Sequence, residues 1–281
     1  MLTAEQSGAT MSTVDSSARI SDKAVIEDDV VIGPWVIIED GVTIGNGTRI
    51  DAHSVIRKGT TIGKHNEIHP HVIIGEEPQD LAFDKQAVSS VCIGNHNTIR
   101  EFTTIHRGTE PASTTVIGNH NLLMAVSHVA HNCHLGDHVV VCNCALLSGH
   151  AVVEDYGFIS GGVAVQQFAR IGTSAFVGGN AGVNTNIPPF IKAVGYRAEA
   201  FGLNSVGLQR RGFSRETLSK LNRAYKILFR SKRKLEERLS QIEEEVDCDE
   251  ARHLVTFIRT PSRYTFCREV TLKGRSAARE D

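Results

Sequence analysis

Three histidines stand three residues apart in His128-Val129-Ala130-His131-Asn132-Cys133-His134. An imidazole with an ordinary pKa near ~6.5 can take a proton from a hydroxyl at neutral pH. Three that converge can instead hold a zinc ion at roughly 2.0–2.1 Å, with a fourth position open. The choice between proton transfer and metal binding depends on how the chain presents the three side chains.

The elements that must position them follow a period of six. Aliphatic residues recur from Ile20, Ile26 and Ile32 through Ile74, resume at Ile93, Ile99 and Ile105, skip Pro111, and run on from Ile117 to Val183. Four places after each stands a small or β-branched residue, such as Ala24, Val30 or Val36. This period suits neither an amphipathic helix nor an alternating strand. It suits short strands joined by tight corners, with one large and one small residue per strand facing inward and Gly or Asn relieving the backbone at the corner. Three such strands close a coil of eighteen residues, and stacked coils form a parallel β-helix.

Two stretches abandon the pattern: Glu76 to Lys85, and the Pro/Ser/Thr-rich Glu110 to Thr115, which is expected to replace one face. Loops on a rigid scaffold are where binding groups are usually carried. The repeat is expected to end at Pro188-Pro189. Beyond it, Ser214 can cap a helix with Leu218, Leu221, Tyr225 and Leu228 on one face; Leu235, Leu239, Ile242 and Val246 mark a second, and Leu254, Phe257 and Ile258 a third. The expected layout is a loose arm over 1–17, a β-helix over 18–189, a helical domain over 190–269 and a charged tail over 270–281.

Residues eighteen apart stack about 4.8 Å above one another on such a coil. His131, Gly149 and Gln167 then share a column, His150 lies one coil above Asn132, and His128 and His134 point out of the prism. An imidazole beneath a glycine N–H able to face an oxyanion is a workable geometry for acyl transfer. The alternative is that outward histidines are solvated or lie in a subunit contact.

A net charge of −2 supplies no global field for nucleic acid or an anionic membrane, so any anion site must be local. The polar start, Met1 to Ser17, has no cationic residue ahead of an apolar run, so it reads as neither secretory signal nor membrane span; Met11 is a second candidate start. Six cysteines lack the spacing of a disulfide scaffold or zinc ribbon and read as reduced thiols of a cytoplasmic protein.

The hexad pattern resembles the left-handed β-helix of the hexapeptide-repeat transferases, and the handedness is implied by that resemblance, since parallel crossovers are normally right-handed. Asn121-Leu122-Leu123-Met124 with His128-Val129-Ala130-His131, Ile105-His106-Arg107-Gly108-Thr109, Gln79-Asp80-Leu81 and Arg210-Arg211-Gly212-Phe213-Ser214-Arg215 are more specific. From about Ile20 through the second helix the chain is similar to the acyl-carrier-protein-dependent UDP-N-acetylglucosamine O-acyltransferases that open lipid A synthesis. The resemblance implies His131 as catalytic base, Asp80 as its loop carboxylate and Gly149 as oxyanion donor. It implies His106, His128, His150 and Gln167 in the sugar and acyl site, and Asn204, Arg210 and Arg211 at the nucleotide, where arginine forks suit a diphosphate. Gly179 falls where the family sets acyl length, and a glycine there leaves room for a long 3-hydroxyacyl chain.

The same resemblance implies a cytoplasmic homotrimer with sites between neighbouring prisms. The acyl donor rides on the phosphopantetheine of acyl carrier protein, which would meet a basic patch near Arg210, Arg211 and Arg215. No metal or redox cofactor, nucleic acid or stable membrane insertion is implied. The chain departs from the family at Ala82, where a lysine is common, at Gln166 in place of histidine, and at Val206 in place of an acidic residue. These departures bear on the acceptor and leave open a 3-amino UDP-sugar, or a paralogue that binds without turnover. A third alternative is a zinc enzyme like the gamma-class carbonic anhydrases, which share the prism.

Overall fold

A computed structural model describes residues 12–270, in two compact units that divide in sequence between Asn132 and Cys133. Each is taken by itself.

In the first unit, short parallel strands form three walls. One runs through Thr13–Val14, Val31–Ile32, Arg49–Ile50, Glu67–Ile68, Thr98–Ile99 and Leu122–Leu123. A second runs through Arg19–Ile20, Ile37–Ile38, Val55–Ile56, Ile73–Glu76, Thr104–His106 and His128–Val129, and a third through Val25–Ile26, Thr43–Ile44, Thr60–Ile62, Ser90–Ile93 and Thr114–Ile117. The regular register is the expected eighteen: Val31 pairs with Arg49, Val25 with Thr43 and Ile37 with Val55. The aliphatic of each hexad points inward, so Ile50, Ile56, Ile74, Ile99 and Ile105 are fully buried. Each such side chain contributes about 1.5–3 kcal/mol. The interior is not wholly apolar. Asn66 Oδ1 accepts from Asn97 N at 2.9 Å, and Asn97 Oδ1 from Asn121 N at 2.9 Å, so a buried amide ladder replaces the small residue on one edge.

The corners meet the expectation only in part. Gly41 (φ 69°), Gly47 (φ 69°) and Asn132 (φ 59°) take the left-handed position, but larger side chains take it too, among them His53 (φ 61°), His71 (φ 62°), His96 (φ 57°) and Phe102 (φ 60°). Their rings stack: His53 on His71 at 4.9 Å, His71 on Phe102 at 5.0 Å and His96 on His120 at 4.9 Å. The inter-strand spacing of ~4.8 Å is also a comfortable ring spacing. A stack is worth about 0.5–1.5 kcal/mol, which offsets much of the ~1–2 kcal/mol cost of a left-handed L-residue.

Both interruptions are excursions that leave the wall intact. Glu67 pairs with Thr98, thirteen residues later than a regular coil would place it, and Thr98 pairs with Leu122, six later. Glu110 to Thr115 therefore does not replace a face. Thr114–Ile117 aligns with Ser90–Ile93 as a wall strand, and Pro111 lies outside the column.

Two of the expected boundaries move. Thr13–Val14 pairs with Val31–Ile32, so strand structure starts inside the stretch assigned to the arm; residues 1–11, and the tail beyond Val270, lie outside the described residues. In the second unit the walls are His134–Leu135, Val152–Val153 and Arg170–Ile171; Leu146–Leu147, Ala164–Val165 and Gly182–Val183; and Val140–Val141, Phe158–Ile159 and Phe176–Val177. The last wall continues past Pro189. Ile191–Val194 pairs in parallel with Phe176–Val177, and Glu199–Leu203 folds back antiparallel. Buried Ala193 and Ala200 extend the apolar interior across the prolines.

Four helices follow: α1 (Ser205–Arg210), α2 (Arg215–Arg230), α3 (Leu235–Glu245) and α4 (Asp249–Arg259). Ser214 caps α2 by accepting from Thr217 N at 3.0 Å. Ala224, Leu228, Leu239, Ile242, Leu254 and Val255 form a shared core for α2, α3 and α4. The short α1 is too brief to show a period and is announced only by its cap, Asn204. All six cysteines are free thiols, and among the described residues no helix is long and apolar enough to cross a membrane.

Candidate active site

Parallel pairing of Thr104 with His128 brings two strands of the second wall together and sets three imidazoles in one neighbourhood. The His106 and His128 rings meet edge to face, 4.7 Å apart at 82°. Thr104 Oγ1 lies 2.7 Å from His128 Nδ1 and holds that ring. Burial, followed by the His128 charge, pushes His106 down to about 4 against the opposing pull of Glu76. Burial also lowers His128, with His131 adding to the effect. Both rings are therefore neutral near pH 7. His106 Nδ1 is buried without a hydrogen-bond partner among the described residues. A buried polar atom left unpaired costs about 1–3 kcal/mol, which marks it as a point a ligand can satisfy.

His131 is held differently. Its Nδ1 lies 2.9 Å from Asn132 Oδ1, which also accepts from Thr109 N at 3.1 Å and Thr109 Oγ1 at 2.9 Å. Asn132 Nδ2 donates to Glu110 Oε2 at 3.2 Å, and its backbone N donates to Thr115 Oγ1 at 2.8 Å. An amide oxygen only accepts, so the imidazole must donate through Nδ1, which leaves the Nε2 lone pair as the basic site. The sequence reading did not pick out Asn132. Its signal was present in an asparagine directly after the histidine and in Thr109 and Glu110 at the broken hexad.

Asp80 sits exposed on the first excursion, where its Oδ1 accepts from Ala82 N at 2.9 Å and its carbonyl from Phe83 N at 3.1 Å.

The other expected residues belong to the second unit. Gly149 is buried, and its carbonyl accepts from Phe168 N at 3.0 Å. His150 takes a left-handed φ of 60° and stacks on Phe168 at 4.4 Å. Gln167 is exposed. Gly179 is exposed as well, and a methyl there would meet only Gly161 O at 3.6 Å, so the surface is open at this point. His134 is an outward, exposed strand residue.

The adjacent arginines separate. Arg211 donates to Ser174 Oγ, and its guanidinium lies 3.4 Å from the Tyr156 ring centroid. Arg210 is exposed. Asn204 caps α1 and donates to Ser174 O at 2.9 Å, so Asn204 and Arg211 converge on one buried serine. Of the three departures, Ala82 closes the Asp80 turn, Val206 is exposed on α1, and Gln166 Nε2 donates to Tyr264 Oη at 2.8 Å. Among the described residues no group of three His, Cys, Asp or Glu side chains could share a metal ion within one chain.

Residues 186–267 match the family described as UDP-N-acetylglucosamine O-acyltransferase, domain 2, and residues 23–58, 41–76 and 114–149 match the bacterial transferase hexapeptide repeat. An acyl-[acyl-carrier-protein]–UDP-N-acetylglucosamine O-acyltransferase of Thermodesulfovibrio yellowstonii is 48% identical over 255 residues, covering 90% of this chain and 98% of that protein. One from Ectopseudomonas mendocina is 47% identical over 235 residues, 83% of this chain and 91% of its own. The crystal structure of the UDP-N-acetylglucosamine acyltransferase of Bacteroides fragilis superposes with a TM-score of 0.88 at 36% identity, covering 91% of this chain and 100% of that one.

Proposed function

This chain belongs to the acyl-[acyl-carrier-protein]–UDP-N-acetylglucosamine O-acyltransferase family, and from that premise we propose which of its residues carry the reaction. It is an enzyme with the left-handed β-helix of that family, and it transfers an acyl chain from acyl carrier protein to UDP-N-acetylglucosamine, the first step of lipid A biosynthesis.

In our reading the acyl group is a long 3-hydroxyacyl chain and the acceptor is the sugar 3-hydroxyl. His131 Nε2 takes the hydroxyl proton as the oxygen attacks the thioester carbonyl. The C–S bond then breaks, and the departing pantetheine sulfur recovers the proton from the imidazolium. The Nδ1 hydrogen bond to Asn132 carries this assignment, because it fixes which nitrogen is basic. Asp80 assists the base, the Gly149 N–H meets the oxyanion, and neutral His106 and His128 wall the site without repelling the imidazolium that forms. His150, Gln167, Asn204 and Arg210 contact the substrates, Arg211 does so from its seat on Tyr156, and Gly179 leaves the acyl groove long. The reaction so written needs no metal or redox cofactor.

We assign a homotrimer acting in the cytoplasm, with sites between neighbouring prisms. The test is mass spectrometry of incubations pairing a panel of 3-hydroxyacyl carrier proteins with UDP-sugars, wild type beside His131→Ala. The expected product is the O-acylated UDP-N-acetylglucosamine, reduced roughly 10²–10⁴-fold in the variant. An acyl-sugar from no pair, or an unchanged yield from His131→Ala, overturns the reading. An amide formed only on a 3-amino sugar would move the acceptor and trace to Ala82, Gln166 and Val206.

A further inference from the structure

Arg107 directly follows His106 but faces the opposite task. Its side chain is 5% exposed, and its guanidinium reaches the start, middle and end of the first excursion. Nη2 lies 3.7 Å from Glu77 Oε1, the guanidinium carbon lies 5.0 Å from the Phe83 ring centroid, and Nη1 donates to Ala87 O at 2.8 Å and approaches Ser89 Oγ at 3.4 Å. Within this stretch the remaining polar ties are mostly local: Ala82 N to Asp80, and Gln86 N and Ala87 N to Asp84. The apex is bare, with Asp80 exposed and Leu81 fully so.

Burying an arginine costs several kcal/mol unless its hydrogen bonds and charge partner are well placed, and a well-packed apolar side chain would serve stability as well or better. A planar fork is suited to tying several points of an irregular segment at once. We propose that Arg107 is a positioning residue of the reaction: it holds the Glu77 to Ser89 excursion in the conformation that presents Asp80. This inference rests on the reading above that Asp80 assists His131.

The experiment is a double-mutant cycle on the full-length enzyme, with Arg107→Met and Asp80→Ala alone and combined, joined to hydrogen exchange. Arg107→Met is expected to lower kcat roughly tenfold in the wild-type background and less than about twofold beside Asp80→Ala, because a misplaced group loses what an absent group has already lost. Amides of residues 77–88 exchange at least about tenfold faster in Arg107→Met, while those of the wall strands keep their rates. Phe83→Ala, which removes the ring beside the guanidinium and leaves the coils intact, reproduces both effects in weaker form and serves if Arg107→Met does not fold. Additive losses, or unchanged exchange in the excursion, overturn the inference alone. An Asp80→Ala enzyme with wild-type turnover overturns the role of Asp80 and this inference with it.

Discussion

Asn132 turns an imidazole that could carry its proton on either nitrogen into one with a fixed lone pair. Asn132→Ala should cut kcat about 10–100-fold, a part of the 10²–10⁴ that a placed base supplies. Asn132→Asp should instead move the acid limb of the kcat/KM profile to higher pH, because a carboxylate favours the imidazolium; an unmoved limb would show that the pair does not act together. His106 bears on stability. Its folded pKa of about 4 lies below the ~6.5 of an unfolded histidine, so its contribution is intact above ~6.5 and is lost as pH falls toward 4. Urea unfolding at pH 7 and pH 5 should show a difference on the order of 2 kcal/mol larger for wild type than for His106→Gln. His131 was legible in sequence because a period places it, whereas Asn132 was not, because its partners Thr109 and Glu110 lie more than twenty residues earlier in a stretch with no period.

The wall strands were readable because a buried aliphatic at every sixth place is a demand of the interior, visible wherever the chain obeys it. Ile105→Ala, at a fully buried position next to the site histidine, should cost about 2–5 kcal/mol in chemical denaturation. A cost below 1 kcal/mol would mean the coil closes around the gap. The corners were legible only where Gly or Asn holds them, for a physical reason: those residues relieve a left-handed backbone locally, whereas a ring above and below does so through contacts eighteen or more residues away. Pro188-Pro189 likewise looked like an end because prolines lack a donor, yet parallel pairing resumes at Ile191–Val194 just beyond them. Helix α2 was legible from its Ser214 cap and apolar face, α3 and α4 from their apolar faces, and α1 was not.

At the scale of the molecule, a net charge of −2 supplies no overall field for an acidic carrier protein, and we propose that its attraction comes from the local patch around Arg210, Arg211 and Arg215. Raising salt from about 0.05 to 0.5 M should then increase KM for the acyl carrier protein several-fold, with kcat little changed, because exposed charges are screened within a Debye length. Equal KM values at the two salts would place carrier recognition on apolar contacts. The two excursions have a further consequence. Each inserts its residues between strands that still pair in register, Glu67 with Thr98 and Thr98 with Leu122. The coil thus behaves as a rack with interchangeable cassettes. A descendant could trade one excursion for another of different length, and acquire a new acceptor, while the wall strands keep their pairing.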